Sequence, residues 1–288
     1  MGALRYRAAL LKLWFFETVK KPRGPVRDTT STRYTYCVWH LGDNLAHLHF
    51  LRKLAIQRPD LTFSHGCNGA YFPQLAEVIE DLPNIKLTTL KEQPRNSVNA
   101  WKNADGFFIH HPRQADYSAF FLDWFRVLAE RLGFETPFHV PADLLFDYPR
   151  LKIDKTNGMT CDFLVVNSTP KSAQLADFKR GYFEPLIAAL FKKGHRIIVT
   201  QPTAVDAGIY CTSAHGLSVS DIGNISLRST NIVGMVTGSI WPTFNVWNRT
   251  TVKRRIVFLD HETLNLCGET QVQTMEQALN VLAADGSI

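Results

Sequence analysis

The sequence predicts an α/β protein in which two Rossmann-like domains face a central cleft, preceded by a separate N-terminal helix. Three observations predict it. Short β-branched and aromatic runs alternate with helical stretches along nearly the whole chain after Tyr34. The alternation pauses at FDYPRLKIDKTNG (146–158), polar and turn-rich, and then restarts, which sets a boundary near residue 150. The net charge of +6 is confined to the start: residues 1–33 hold eight Lys or Arg against Glu17 and Asp28, and the rest of the 288 residues is neutral. The expected organisation is a basic helix and linker (1–33), a first α/β domain (34–150) and a second (151–288).

Residues 4–19 favour helix, with Pro22 and Pro25 to stop it. Leu4, Ala8, Leu11, Phe15 and Val19 form one stripe, and Tyr6, Leu10, Leu13 and Trp14 form a second apolar arc. Two readings stay open: a helix packed on its own protein, and a helix on a membrane surface. In the second, Trp14, Phe15 and Phe16 sit in the interface and the basic side chains on anionic headgroups. No apolar run reaches the ~18–20 residues of a spanning helix. Lys12 and Glu17 interrupt the stretch and no small-residue cleavage site follows, so a signal peptide is not expected. Residues 20–33 read as a polar linker.

Composition narrows the class. With 45% apolar and 20% charged residues, the chain is neither disordered nor collagen-like. The neutral body offers no basic face to nucleic acid. Cys37, Cys67, Cys161, Cys211 and Cys267 are scattered without a C-x-x-C pair, which reads as buried reduced thiols of a cytoplasmic protein.

In the first domain, strands are expected at 34–40, 61–65, 85–90 and 106–111, with helices at about 43–56, 70–81 and 117–132, the last closed by Gly133. In the second, strands are expected at 162–169, 195–201, 215–219, 231–238 and RRIVFLD, with helices at 181–194 (closed by Gly194), around 221–229, shortly after 238, and at 270–283. Sheets of this kind bind ligands beyond the C-terminal ends of their strands.

His40-Leu41-Gly42-Asp43-Asn44 follows the first strand and opens a helix. Gly42 suits a sharp turn, and Asp43 suits an N-cap. A carboxylate at that strand end is equally placed to act as a general base, with His40 to assist. Asn44, His65, Asn68, His110 and His111 lie at or beyond strand ends as candidate acceptor contacts. In the second domain, Thr237, Gly238 and Ser239 stand between a strand and an expected helix, a geometry that binds anions. Ser168 and Thr169 end that domain's first strand, Lys171 lies just beyond it, and all three are placed to meet phosphate or sugar hydroxyls. Lys179 is a further candidate, and a solvated lysine is the alternative at both positions. Gln201 follows the next strand.

CVWHLGDNLAHLHFLRKLAIQRPDLTFSHGC, with its Gly42-Asp43, Leu51-Arg52-Lys53-Leu54 and Arg58-Pro59-Asp60, resembles the opening of the heptosyltransferase family. These are GT-B glycosyltransferases of the ADP-heptose lipopolysaccharide type. Local similarity covers about residues 34–65. NIVGMVTGSIWP (231–242) is similar to the family's donor-diphosphate motif, but Val236 stands where the family has Asp and Trp241 where it has His. The resemblance implies an inverting transferase in which Asp43 is the base. It also implies that Thr237-Gly238-Ser239 cradle the diphosphate and Gln201 meets the nucleotide base. The expected partners are a nucleotide-sugar donor and a glycan or lipid-linked acceptor. Val236 and Trp241 keep open a fucosyl- or other hexosyltransferase, and a non-catalytic nucleotide-sugar or glycan-binding protein is a separate alternative. His40, His47 and His49 do not have chelate spacing, and no D-x-D occurs, so no metal or other cofactor is expected. No P-loop, G-x-G-x-x-G or G-x-S-x-G is present.

Overall fold

A computed structural model describes residues 22–99, 116–153, 155–169, 181–259 and 264–288. The expected N-terminal helix, the strand at 106–111, and Lys171, Lys179, His110 and His111 lie outside the described residues. The chain divides into two compact units: the first holds 22–99 and 119–143, the second 116–118 and 144–288.

In the first unit, β1 (Thr32–Tyr36), α1 (Leu41–Gln57), β2 (Thr62–Cys67), α2 (Phe72–Ile79), β3 (Ile85–Thr89) and β4 (Val98–Asn99) precede α3 (Tyr117–Leu132). The sheet order is β3-β2-β1-β4, parallel throughout. α1 is buried on nearly every side, including His47, His49 and Arg52. Phe50 of α1 stacks on Phe125 of α3, with ring centroids 4.9 Å apart and planes within 3°. Arg52 explains the Leu-Arg-Lys-Leu run. Its guanidinium forks onto Asp81 and donates to Val78 C=O at 2.7 Å, tying α1 to the end of α2. Gly133 (φ +81°) ends α3 as expected, with Phe134 N–H returning to Ala129 C=O at 2.9 Å.

β1 starts and stops earlier than the expected 34–40. The reason is Asn44, whose amide takes the carbonyls of Trp39 and His40 and bends these residues out of the sheet. The expected linker also gives way to structure. Gly24 pairs with Pro94, and Arg23 and Arg27 carbonyls accept from Arg95 and Asn96, so residues 22–31 lie against the first unit and β1 begins at Thr32.

The second unit runs β5 (Cys161–Val166), α4 (Glu184–Lys192), β6 (Ile197–Val199), β7 (Tyr210–Cys211), α5 (Val219–Ser226), β8 (Ser229–Met235), β9 (Arg254–Phe258), β10 (Thr270–Val272) and α6 (Met275–Ala284). Its sheet is parallel, with order β10-β9-β8-β5-β6-β7. The order reverses between β5 and β8, so the topological switch point lies at their ends. Phe163, Val165, Leu186, Leu190, Val233, Phe258 and Leu282 pack one face into a dry core.

Two expectations fail here for local reasons. Residues 215–219 are not a strand: Gly216 turns left-handed (φ +65°), and Ser218 with Asp221 forms a capping box that starts α5. The helix expected shortly after residue 238 is instead a 3₁₀ turn at Trp241–Thr243. The Thr243 hydroxyl bonds Ile240 C=O at 2.7 Å, and Asn245 and Asn248 amides take the Pro242 and Thr243 carbonyls at 2.9 Å each. Side chains thereby occupy acceptors that a helix would have used.

Candidate functional site

The first group of residues lies at the C-terminal edge of the first sheet. The N-cap of α1 is His40, not Asp43. Asp43 is the third helical residue, and its Oδ2 accepts from His40 N–H at 3.1 Å. The side chain is half-buried, and loss of water pushes its carboxyl up to about 7 against the pull of hydrogen bonds from the His40 and Asp43 N–H groups. Cys37 and Tyr71 stand nearby; burial first and the Asp43 charge second raise both of them. A carboxyl with a pKa near neutrality carries a large anionic fraction at physiological pH and is a competent proton acceptor.

The other residues expected around it divide. Asn68 is exposed at the end of β2, and its Oδ1 accepts from Ala70 N–H at 3.1 Å. Asn44 and His65 are not acceptor contacts. Both are fully buried and bonded to each other, His65 Nε2 to Asn44 Oδ1 at 3.0 Å, inside the unit. Burial lowers His65 to about 3, so its ring is neutral.

The second group lies at the switch point of the second sheet. Ser168 Oγ lies 2.9 Å from Thr200 Oγ1 and 3.2 Å from Ser239 Oγ, joining the ends of β5, β6 and β8 through hydroxyls. Thr237 is 9% exposed, and among the described residues its hydroxyl has no hydrogen-bond partner. Gly234 makes the approach possible: a Cβ there would sit 2.6 Å from Val166 Cβ and 3.0 Å from its carbonyl oxygen. Thr169 and Gln201 line one cavity of about 190 Å³ with Asn167, Tyr182, Glu184 and Pro202. Asn167 was not singled out from the sequence. Its Oδ1 accepts from Thr200 N–H, Thr200 Oγ1 and Gln201 N–H at 2.8–3.1 Å, and its Nδ2 donates to Gln201 C=O at 3.0 Å. An Asn just past a strand is the signal that marks such a latch. Because no α-helix follows directly, Thr237, Gly238 and Ser239 are not the start of a helix, and no helix dipole acts there. Val236 and Trp241 are buried at 2% and 8% exposure, so these two positions offer the core, and not a ligand, their side chains.

No family model and no curated protein matches the sequence. Solved structures do. TibC of enterotoxigenic E. coli H10407, a bacterial iron-containing dodecameric glycosyltransferase, superposes with TM-score 0.51 at 12% identity, over 87% of this chain and 63% of that one. This chain therefore spans less than two thirds of TibC. E. coli heptosyltransferase WaaC with ADP-2-deoxy-2-fluoro heptose gives TM-score 0.49 at 12% identity, over 87% and 99%. A glycosyl transferase family 9 protein of Veillonella parvula DSM 2008 gives 0.47 at 11% identity, over 90% of each chain.

The likeness corrects one expectation. A cofactor-free chemistry does not follow from this fold, because TibC is iron-containing. Among the described residues, no three His, Cys, Asp or Glu side chains are grouped to hold such an ion, and no step below is routed through one. Also among the described residues, no helix is long and apolar enough to cross a membrane. In fold, the chain resembles TibC, with one parallel α/β sheet in each of its two units.

Proposed function

We propose that the chain is an inverting glycosyltransferase that moves a sugar from a nucleotide-sugar donor to a hydroxyl of a glycan or glycolipid. The observation that carries this reading is Asp43, a half-buried carboxyl at the C-terminal edge of the first sheet with its pKa near 7. Domain 34–150 would hold the acceptor and domain 151–288 the donor. Asp43 takes the proton of the acceptor hydroxyl as its oxygen bonds to the anomeric carbon. The bond from that carbon to the donor diphosphate breaks, and one displacement inverts the centre. His40 holds the carboxylate through its N–H, and Asn68, His110 and His111 are the candidate acceptor contacts.

On the second unit, the free hydroxyl of Thr237 and the Ser168–Ser239 pair are donors for the departing diphosphate, with Gly238 leaving its backbone open. Lys171 is the cation expected to join them. The cavity of Asn167, Thr169 and Gln201 fits the nucleoside end of the donor. TibC has been solved with ADP-D-β-D-heptose, which supports a nucleotide-diphosphate sugar as the donor class. Residues 4–19 would make peripheral contact with a membrane that carries the acceptor.

Thermal stabilisation by ADP, UDP, GDP and CDP and their sugar conjugates tests this. A ligand at ~100 times its Kd adds about 2.7 kcal/mol, a readily measured shift in Tm. Stabilisation by one diphosphate and its conjugates supports the reading. A flat response to all of them removes it.

A further inference from the structure

Behind Asp43 the first unit holds a line of buried polar groups that ends on the turn carrying that carboxylate. Thr35 and His65 face each other in the register of β1 and β2, and Thr35, His65 and Asn44 are all at 0% exposure. Thr35 Oγ1 meets His65 Nδ1 at 3.1 Å, and His65 Nε2 meets Asn44 Oδ1 at 3.0 Å. Asn44 Nδ2 then donates to His40 C=O at 2.9 Å and Trp39 C=O at 3.3 Å. His40 N–H, one residue's length away, holds Asp43 Oδ2 at 3.1 Å.

The order of donors and acceptors admits one arrangement. Carbonyls only accept, so the Asn44 amide nitrogen faces them and its oxygen faces His65. Nε2 of His65 therefore carries the proton, Nδ1 is the acceptor, and the Thr35 hydroxyl donates to it. His47 lies against the His65 ring with centroids 4.4 Å apart and planes tilted by 38°, and among the described residues neither of its ring nitrogens has a hydrogen-bond partner. A second proton on His65 would meet that ring across a dry contact. Polar groups this deeply buried cost desolvation that apolar side chains of equal size would avoid. What they hold in return is the Trp39 carbonyl and the His40 carbonyl, the second shared with the Asn44 backbone N–H at 3.2 Å.

We propose that His65 and Asn44 are positioning residues for Asp43. His65, as its Nε2–H tautomer, orients Asn44, and Asn44 fixes the Trp39–His40 backbone so that the His40 N–H holds the carboxylate at the sheet edge. This rests on the reading of Asp43 as the base.

The test compares two replacements of similar volume in the full chain. His65→Gln keeps an N–H able to reach Asn44 Oδ1, and His65→Leu keeps only the bulk. The first readout is the carbon-13 titration of the Asp43 carboxyl, identified by its loss in Asp43→Asn. Cys37, Tyr71 and His40, which face that carboxyl, are unchanged in every variant. The second readout is kcat and donor KM. His65→Gln is expected to titrate with wild type. His65→Leu is expected to move the titration down toward ordinary carboxylates, as a loosened turn admits water. Its kcat should fall on the order of 10- to 100-fold at unchanged donor KM, and His65→Gln should restore it. Should the Leu variant fail to fold, Asn44→Ala, which removes the side-chain donor to the two carbonyls directly, takes its place. A Leu or Ala variant that titrates with wild type overturns the proposal, as does a Gln variant that shifts as far as Leu. If the wild type turns over no nucleotide sugar, the transferase reading fails, and the titration still decides the brace.

Discussion

Asp43 imposes a stability cost that depends on pH, and Asp43→Asn should expose it. The carboxyl moves from an ordinary 3.8 to about 7 on folding, with burial as the leading cause. A raised folded pKa means that the native state binds the proton more tightly than the unfolded chain. Between those two values, stability falls as pH rises. At about 1.36 kcal/mol per pH unit, the gap sets a ceiling of about 4 kcal/mol, rather more than half of it between pH 5 and pH 8. The side chain is only half-buried, so screening by water leaves on the order of 1–2 kcal/mol over that interval. Asn resembles the protonated carboxyl, keeps an oxygen for the His40 N–H, and does not titrate. Urea unfolding at the two pH values, followed by tryptophan fluorescence at constant m, should show Asp43→Asn gaining on wild type by that amount at the higher pH. A variant with the same stability difference from wild type at pH 5 and pH 8 would refute the reasoning, because Asp43 would then be an ordinary surface carboxylate.

Three further outcomes follow from the packing. Gly234→Ala places a methyl 2.6 Å from Val166 Cβ, where carbon contacts want about 3.5–4.0 Å. It should lose about 1–3 kcal/mol in urea and weaken nucleoside diphosphate binding by spreading β5 from β8; unchanged values for both contradict the close approach. Thr237→Val exchanges an unpartnered buried hydroxyl for a methyl. It should gain about 1 kcal/mol in stability while nucleoside diphosphate affinity by calorimetry falls several-fold; equal affinity removes that hydroxyl from the donor site. Arg52→Leu strands Asp81 and the Val78 carbonyl. In the folded protein, burial raises Asp81, but the Arg52 hydrogen bond and charge outweigh it and hold the carboxyl low. Asp81 keeps a third of its exposure, so the loss should be about 2–3 kcal/mol at pH 7. It should shrink as pH falls through the range where Asp81 protonates; a loss that stays constant contradicts the ion pair.

The strand–helix alternation was legible because most strands here are short runs carrying β-branched or aromatic side chains, bounded by turn residues. Helix ends were legible where a glycine closes them, as at Gly133 and Gly194, both at φ +81°. The misread segments share one cause, side chains that capture the local backbone. Asn44 ends β1 early, Ser218 and Asp221 turn an expected strand into a helix start, and Asn245 and Asn248 prevent the helix expected after Gly238. Two-residue strands such as Val98–Asn99 and Tyr210–Cys211 carry too little pattern to be seen. Within the candidate sites, position along a strand was readable but side-chain direction was not. Asn44 and His65 read as ligand contacts because they are polar and near a strand end, yet they face inward to each other. Their partnership spans 21 residues of sequence, a distance no local pattern encodes.

The central claim is that Asp43 accepts the proton of the acceptor hydroxyl. The most direct measurement is nucleoside diphosphate release from a stabilising nucleotide sugar, with membrane glycolipid as acceptor, by wild type and Asp43→Asn. Thermal stabilisation by the same diphosphate is read in parallel. The account predicts turnover reduced on the order of 10²- to 10⁴-fold in the variant, with stabilisation by the diphosphate unchanged. Wild-type turnover in Asp43→Asn would contradict it.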